Sequence, residues 1–143
     1  VLIQNREITH PDVGMLVRKA EDELLGIYPE QTPLPLHPRA RFVIAYLMGD
    51  PVGCGALVPF DGDAAEIKRM YVLPAHRRCG VGRRILTALT RRAAGQGFVR
   101  VVLETGTRHP AAIAFYEAAG FERTPAYGPY VGNRFSVCLV KRL

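Results

Sequence analysis

Apolar positions change their period several times along the chain, and each change marks an element. Val13, Leu16, Val17, Ala20 and Leu24 recur at the 3.6-residue spacing of a helix. This predicts an amphipathic helix with Thr9 or Asp12 as its cap, after a weakly alternating first strand over Leu2 to Thr9. Pro29, Pro33, Pro35 and Pro38 then exclude one continuous helix. That stretch is expected on the surface, as a long loop or a broken short helix. Arg41 to Met48 and Val52 to Phe60 are rich in strand formers and flank the turn signal Gly49-Asp50. Asp61-Gly62-Asp63 marks the next turn, and Ala64 to Leu73 extends the meander as a third strand. Val81, Ile85, Ala88, Leu89 and Ala93 describe a helix ending at Gly95, and Val99 to Thr105 has no polar helical face and predicts a buried strand. Pro110 to Ala119 reads as a helix with Pro in its first turn and Gly120 just past its end. Phe121 to Pro125 and Arg134 to Lys141 predict two further strands around a Tyr/Gly/Pro loop. The order β-α-β-β-β-α-β-α-β-β implies an α/β fold: one mixed, mostly antiparallel sheet flanked by helices. No repeat or linker interrupts it, so residues 1–143 are expected to form a single domain.

Composition narrows the setting. Of 143 residues, 48% are apolar and 22% charged, a globular balance. No apolar run approaches the ~20 residues of a membrane helix, so no membrane partner is expected. Cys54, Cys79 and Cys138 are widely spaced with no CxxC pair, which fits reduced thiols in a cytoplasm better than disulfides or a metal site. His10, His37 and His76 share no metal spacing either. The net charge of +6 invites a polyanion, but nucleic acid, anionic lipid and a phosphorylated cofactor all qualify.

A loop decides among them. Arg77-Arg78-Cys79-Gly80-Val81-Gly82 joins a strand to a helix N-terminus, where free backbone N–H groups and a positive dipole end favour phosphate. Glycines there let phosphate oxygens approach the backbone. Ile85 stands where a dinucleotide-binding turn needs its third glycine, and no GK[ST] follows. The hexapeptide resembles the [RQ]-x-x-G-x-[GA] signature of the GNAT N-acetyltransferase superfamily. Glu66-Ile-Lys-Arg-Met-Tyr-Val-Leu-Pro74 before it extends the match. Downstream, Ala112-Ile-Ala-Phe-Tyr116-Glu-Ala-Ala-Gly-Phe121 is similar to the second signature of that family, AxxxYExxGF.

The resemblance implies a GNAT-type fold and transfer of an acetyl group from acetyl-coenzyme A to an amine by direct attack, without a metal. It implies a pyrophosphate cradle of Arg78, Cys79, Gly80, Val81 and Gly82, with Arg77, Arg83 and Arg84 beside it. The pantetheine arm would pair with the strand at Met70, Tyr71 and Val72. Cys79 would fill space facing away from the cofactor. His109 falls where many relatives carry asparagine, and could still donate a hydrogen bond to the cofactor.

The chemistry requires that the amine lose a proton, that the oxyanion meet a donor, and that the thiolate be protonated. Tyr116 matches the tyrosine that serves as acid in the family. Glu66 sits where many relatives carry a base, and alternation places it on one face with Lys68, Met70 and Val72. Glu104, at the end of a buried strand, is the alternative base. The acceptor would be a small-molecule or peptide amine, met near Leu25 to Pro38 or the Tyr127–Asn133 loop. A monomer or homodimer is expected. The alternatives are an acetyl-coenzyme A sensor without turnover and a basic nucleic-acid-binding protein. Against the second, the arginines cluster at one helix start and tryptophan is absent.

Overall fold

A computed structural model describes residues Val1 to Leu143. The predicted meander forms as β1 (Leu2–Arg6), β2 (Arg41–Leu47), β3 (Asp50–Asp61) and β4 (Ala64–Val72), each antiparallel to the next. The buried run after it forms β5 (Arg100–Gly106), parallel to β4, with β7 (Ser136–Arg142) antiparallel to β5 and the short β6 (Glu122–Thr124) beyond. The seven strands thus make one sheet in the order β1-β2-β3-β4-β5-β7-β6. A parallel pair needs a crossover, and α2 (Val81–Gly95) supplies it between β4 and β5.

Each helix covers the face that its apolar stripe dictates. α1 (Pro11–Ile27) buries Val13, Leu16 and Val17 against Phe42, Ile44, Cys54 and Ala56 on one side of the sheet. Leu24 does not join that stripe and is 40% exposed. On the other side, Val81, Ile85 and Leu89 of α2 and Tyr116 of α3 (Pro110–Ala118) pack on Val43, Leu57, Ile67, Val101 and Leu103. Gly53 and Gly55 admit α2 this closely. A Cβ on Gly55 would lie 2.8 Å from Leu89 Cδ1 and 2.9 Å from Ile85 Cγ2.

Three details depart from expectation. α1 is capped by His10, whose Nδ1 accepts the Asp12 N–H at 3.0 Å, and neither Thr9 nor Asp12 caps it. A 3-10 turn, Pro74–His76, follows β4. Most consequential is β4 itself. Its register on β3 shifts between Cys54 and Ala56, so that Arg69 and Met70 stand opposite Gly55 alone. Arg69 is the bulged residue, at φ 61. The extra residue inverts the alternation: Met70 and Val72 pack on the α2 side, whereas Tyr71 and Leu73 pack on the α1 side. Glu66 and Lys68 therefore do not share a face with Met70 and Val72.

Candidate active site

β4 and β5 pair only from Ala64↔Arg100 to Ile67↔Leu103 and then part. The gap between them begins two residues before the bulged Arg69. On the α2 side lies the loop after β4. Gly80 holds the N-cap position of α2 at φ 84 and offers no capping side chain. The first intrahelical bond runs from Arg84 N–H to Gly80 C=O at 3.1 Å, so the N–H groups of Val81, Gly82 and Arg83 have no helical acceptor. Arg78 also adopts a left-handed backbone, φ 63. Residues 77–80, 83 and 84 are exposed.

This cradle suits a diphosphate in its chemistry and its room. A Cβ on Gly82 would meet Phe115 at 3.6 Å, an ordinary contact, so α2–α3 packing does not itself require glycine there. Arg77 is committed elsewhere: its Nε donates to Val72 C=O at 2.7 Å and its guanidinium pairs with Glu23 of α1 at 2.8 Å. Arg78, Arg83 and Arg84, by contrast, are exposed and pair with no carboxylate. Leu73 N–H bonds Val52 C=O on β3, so by alternation the backbone of Val72 faces the gap; its C=O is taken by Arg77 and its N–H is left for an extended arm. Tyr71 turns its ring toward α1, beneath the Arg77 guanidinium at 5.4 Å. Cys79 is exposed rather than filling space, and its Sγ bonds Arg77 C=O at 3.3 Å.

Tyr116 projects from α3 into the apolar layer on this same side. Its ring stacks edge-on with Phe115 at 5.1 Å and Phe121 at 5.8 Å, and the residue is 8% exposed. Burial pushes its phenol well above the ordinary value, so the proton stays on at neutral pH. The hydroxyl bonds no protein group. Arg92 Nη1 is the sole fully enclosed side-chain polar atom without a partner, so the Tyr116 hydroxyl keeps contact with solvent.

Across the gap, on the α1 side, polar groups gather. Glu66 is buried, accepts a hydrogen bond from the Tyr127 hydroxyl at 2.8 Å, and lies 3.7 Å from Lys68 Nζ. Lys68 in turn donates to the Tyr130 hydroxyl at 2.7 Å. Glu104 accepts from Ser136 Oγ at 2.8 Å, and burial raises its carboxyl above the usual range. Phe60 and Tyr130 stand edge-on to Tyr127, at 4.8 and 5.4 Å. The Tyr-Gly-Pro-Tyr run had marked this loop as a pocket wall, but nothing in its spacing pairs Tyr127 with Glu66.

His109 sits before α3 and is tied to Tyr28, which belongs to the Leu25 to Pro38 segment expected near the acceptor. Arg108 N–H donates to the Tyr28 hydroxyl at 2.7 Å, and that hydroxyl shares a second hydrogen bond with His109 Nδ1 at 3.3 Å. Burial lowers the His109 pKa, which favours the neutral ring, with one nitrogen a donor and the other an acceptor. Gly106 makes this possible, since a Cβ there would run into the Tyr28 hydroxyl.

Residues 12–121 match the acetyltransferase (GNAT) family. An IAA acetyltransferase of Azospirillum brasilense is 33% identical over 138 residues, covering 92% of this chain and 90% of that protein. The structure of an acyl-CoA N-acyltransferase from Klebsiella pneumoniae superposes with a TM-score of 0.85 at 29% identity, over 99% of this chain and 97% of that one. A GNAT acetyltransferase from Elizabethkingia anophelis with acetyl-CoA bound shares the fold at 19% identity, TM-score 0.75, over 99% and 97% of the chains. With the uncapped glycine-rich helix start, the parted strands and the buried Glu66 beside them, the chain belongs to the GNAT family and is an acetyl-CoA-dependent N-acetyltransferase.

Proposed function

We propose that the donor and acceptor approach from opposite faces of the sheet and meet in the gap between β4 and β5. The observation that carries this is the end of the β4–β5 ladder at Ile67↔Leu103, with Glu66 on one side of it and the free N–H groups of α2 beyond the other. Acetyl-CoA supplies the thioester. Arg78, Cys79, Gly80, Val81 and Gly82 hold its pyrophosphate through backbone N–H groups, and Arg78, Arg83 and Arg84 meet its phosphates as forked donors. Met70 and Val72 line the β4 side of the gap. His109, donating from a ring nitrogen, takes the place of the amide that relatives use.

Glu66 takes the proton of the acceptor amine, held in place by the Tyr127 hydroxyl. Tyr116 gives its phenolic proton to the leaving sulfur, because its hydroxyl is protonated and has no competing partner. The acceptor is a small amine. The walls offered to it are the rings of Phe60, Tyr127 and Tyr130, and aromatic faces favour a cationic ammonium as it arrives. Glu104, bonded to Ser136, adds negative field rather than taking the proton.

The test is acetyl-CoA turnover against a panel of primary amines, with Glu66→Gln followed over pH. The variant should lose most activity where the amine is protonated, and progressively less as pH rises toward the pKa of the amine itself. A uniform loss at every pH would assign Glu66 to binding.

A further inference from the structure

The chain carries a net charge of +6, and the coenzyme A cradle accounts for only part of it. Arg69, Arg77, Arg100, Arg108 and Arg123 each reach a carboxylate. Arg6, Arg39, Arg41 and Arg92 reach none, and all four line one groove of about 840 Å³. It lies at the far end of α2 from the phosphate-binding loop, between the start of β2, the end of β1 and the last turn of α2. Glu7 is the single carboxylate lining it, so the side chains of Arg39, Arg41 and Arg92 stand against one negative charge.

Like charges held together in a concave surface repel, and their mutual repulsion is screened least where water is excluded. Arg92 shows that exclusion directly, because its Nη1 is fully enclosed and has no hydrogen-bond partner. Arg6 contributes little, because its guanidinium turns to the α1 face, where it bonds the Tyr46 hydroxyl at 3.0 Å and stacks over that ring at 5.0 Å. A half-desolvated cation at one wall and two exposed arginines at the rim form a receptor for negative charge. We propose that this groove binds a compact multivalent oxyanion, phosphoryl or polycarboxylate in chemistry, at a site separate from the acetyl-transfer centre. The concave shape and volume suit a small metabolite. Guanidinium forks match both anion types bidentately. Aromatic platforms for stacked bases are confined to Phe42, which is buried, and Phe98, so a single-stranded nucleic acid is a poorer fit.

The protein saturated with coenzyme A, so that the loop after β4 is filled, is titrated by calorimetry with inorganic pyrophosphate and separately with citrate in low-salt buffer. Nitrogen-15 spectra follow the Arg92 Nε–H and the backbone amides of residues 39–42. Binding of either anion with shifts at those groups is the expected result, and which of the two binds tells the chemistry. Arg39→Gln/Arg41→Gln, changing two exposed side chains, should weaken binding at least tenfold while leaving the melting curve intact. The proposal is overturned if that double variant binds as the parent does, or if the shifts fall only at residues 78–83. It is overturned equally if neither anion binds more tightly than chloride at matched ionic strength, or if a DNA duplex displaces both.

Discussion

Tyr116 serves two demands at once: a ring wedged between Phe115 and Phe121, and a hydroxyl left without a partner in a buried setting. Tyr116→Phe keeps the first and removes the second. Turnover should fall by about 10²–10⁴-fold, the usual worth of general acid assistance, with acetyl-CoA affinity little changed. The loss should shrink with a thioester whose thiol is more acidic. Near-normal turnover in the folded variant, with chemistry shown to limit the rate, would leave Tyr116 as packing alone. Glu104 makes a different prediction, about stability. Its folded-state pKa is raised above the ordinary value of 4.5, first by burial. The folded protein then binds more protons than the unfolded chain in the window between those values, and stability falls as pH rises through it. The stabilising contribution is complete below the unfolded pKa and lost above the folded one. Glu104→Gln can keep the Ser136 contact and removes that loss. It should melt higher than the parent at pH 7 and no higher at pH 4, by paired thermal melts. An equal difference at both pH values would mean that Glu104 is not titrating in this way.

At the scale of elements, α2 begins with N–H groups that nothing in the chain satisfies, and Gly82 leaves room beside them. Gly82→Val should fold, because the space toward Phe115 accepts a side chain, yet crowd the diphosphate. The dissociation constant for acetyl-CoA should rise at least tenfold, about 1.4 kcal/mol. Calorimetry showing parental affinity would remove this loop from the cofactor site. The loop and both flanking helices were legible because glycine, proline and helical periodicity act locally. The bulge in β4 was not. Glu66-Ile-Lys-Arg-Met-Tyr-Val reads as plain alternation, and only pairing against Gly55 reveals that Arg69 is the inserted residue. A one-residue insertion moves every later side chain to the opposite face, so the expected partnership of Glu66 with Met70 and Val72 was lost. The His10 cap was missed for a related reason, since histidine is a rare helix cap. Tyr127 with Glu66, and Tyr28 with His109, are contacts between distant segments, which no local pattern encodes.

For the whole molecule, β1 to β4 form one part of the sheet and β5, β7 and β6 the other. Within the sheet, the two parts meet along the pairs Ala64↔Arg100, Ala65↔Val101, Glu66↔Val102 and Ile67↔Leu103. Hydrogen exchange should find this line among the first strand pairings to open, ahead of the longer β2–β3 and β3–β4 ladders. Saturating coenzyme A should slow exchange at residues 101–105 as well as at 78–83, and raise the melting temperature with ligand concentration. Slowing at 78–83 alone would mean that the cofactor does not span the gap. The short ladder thus has a mechanical meaning. The sheet carries a built-in seam, stitched at one end and open at the other. A ligand lying along the open end would act as the missing stitches, and the substrate consumed in each cycle would then also complete the structure that consumes it.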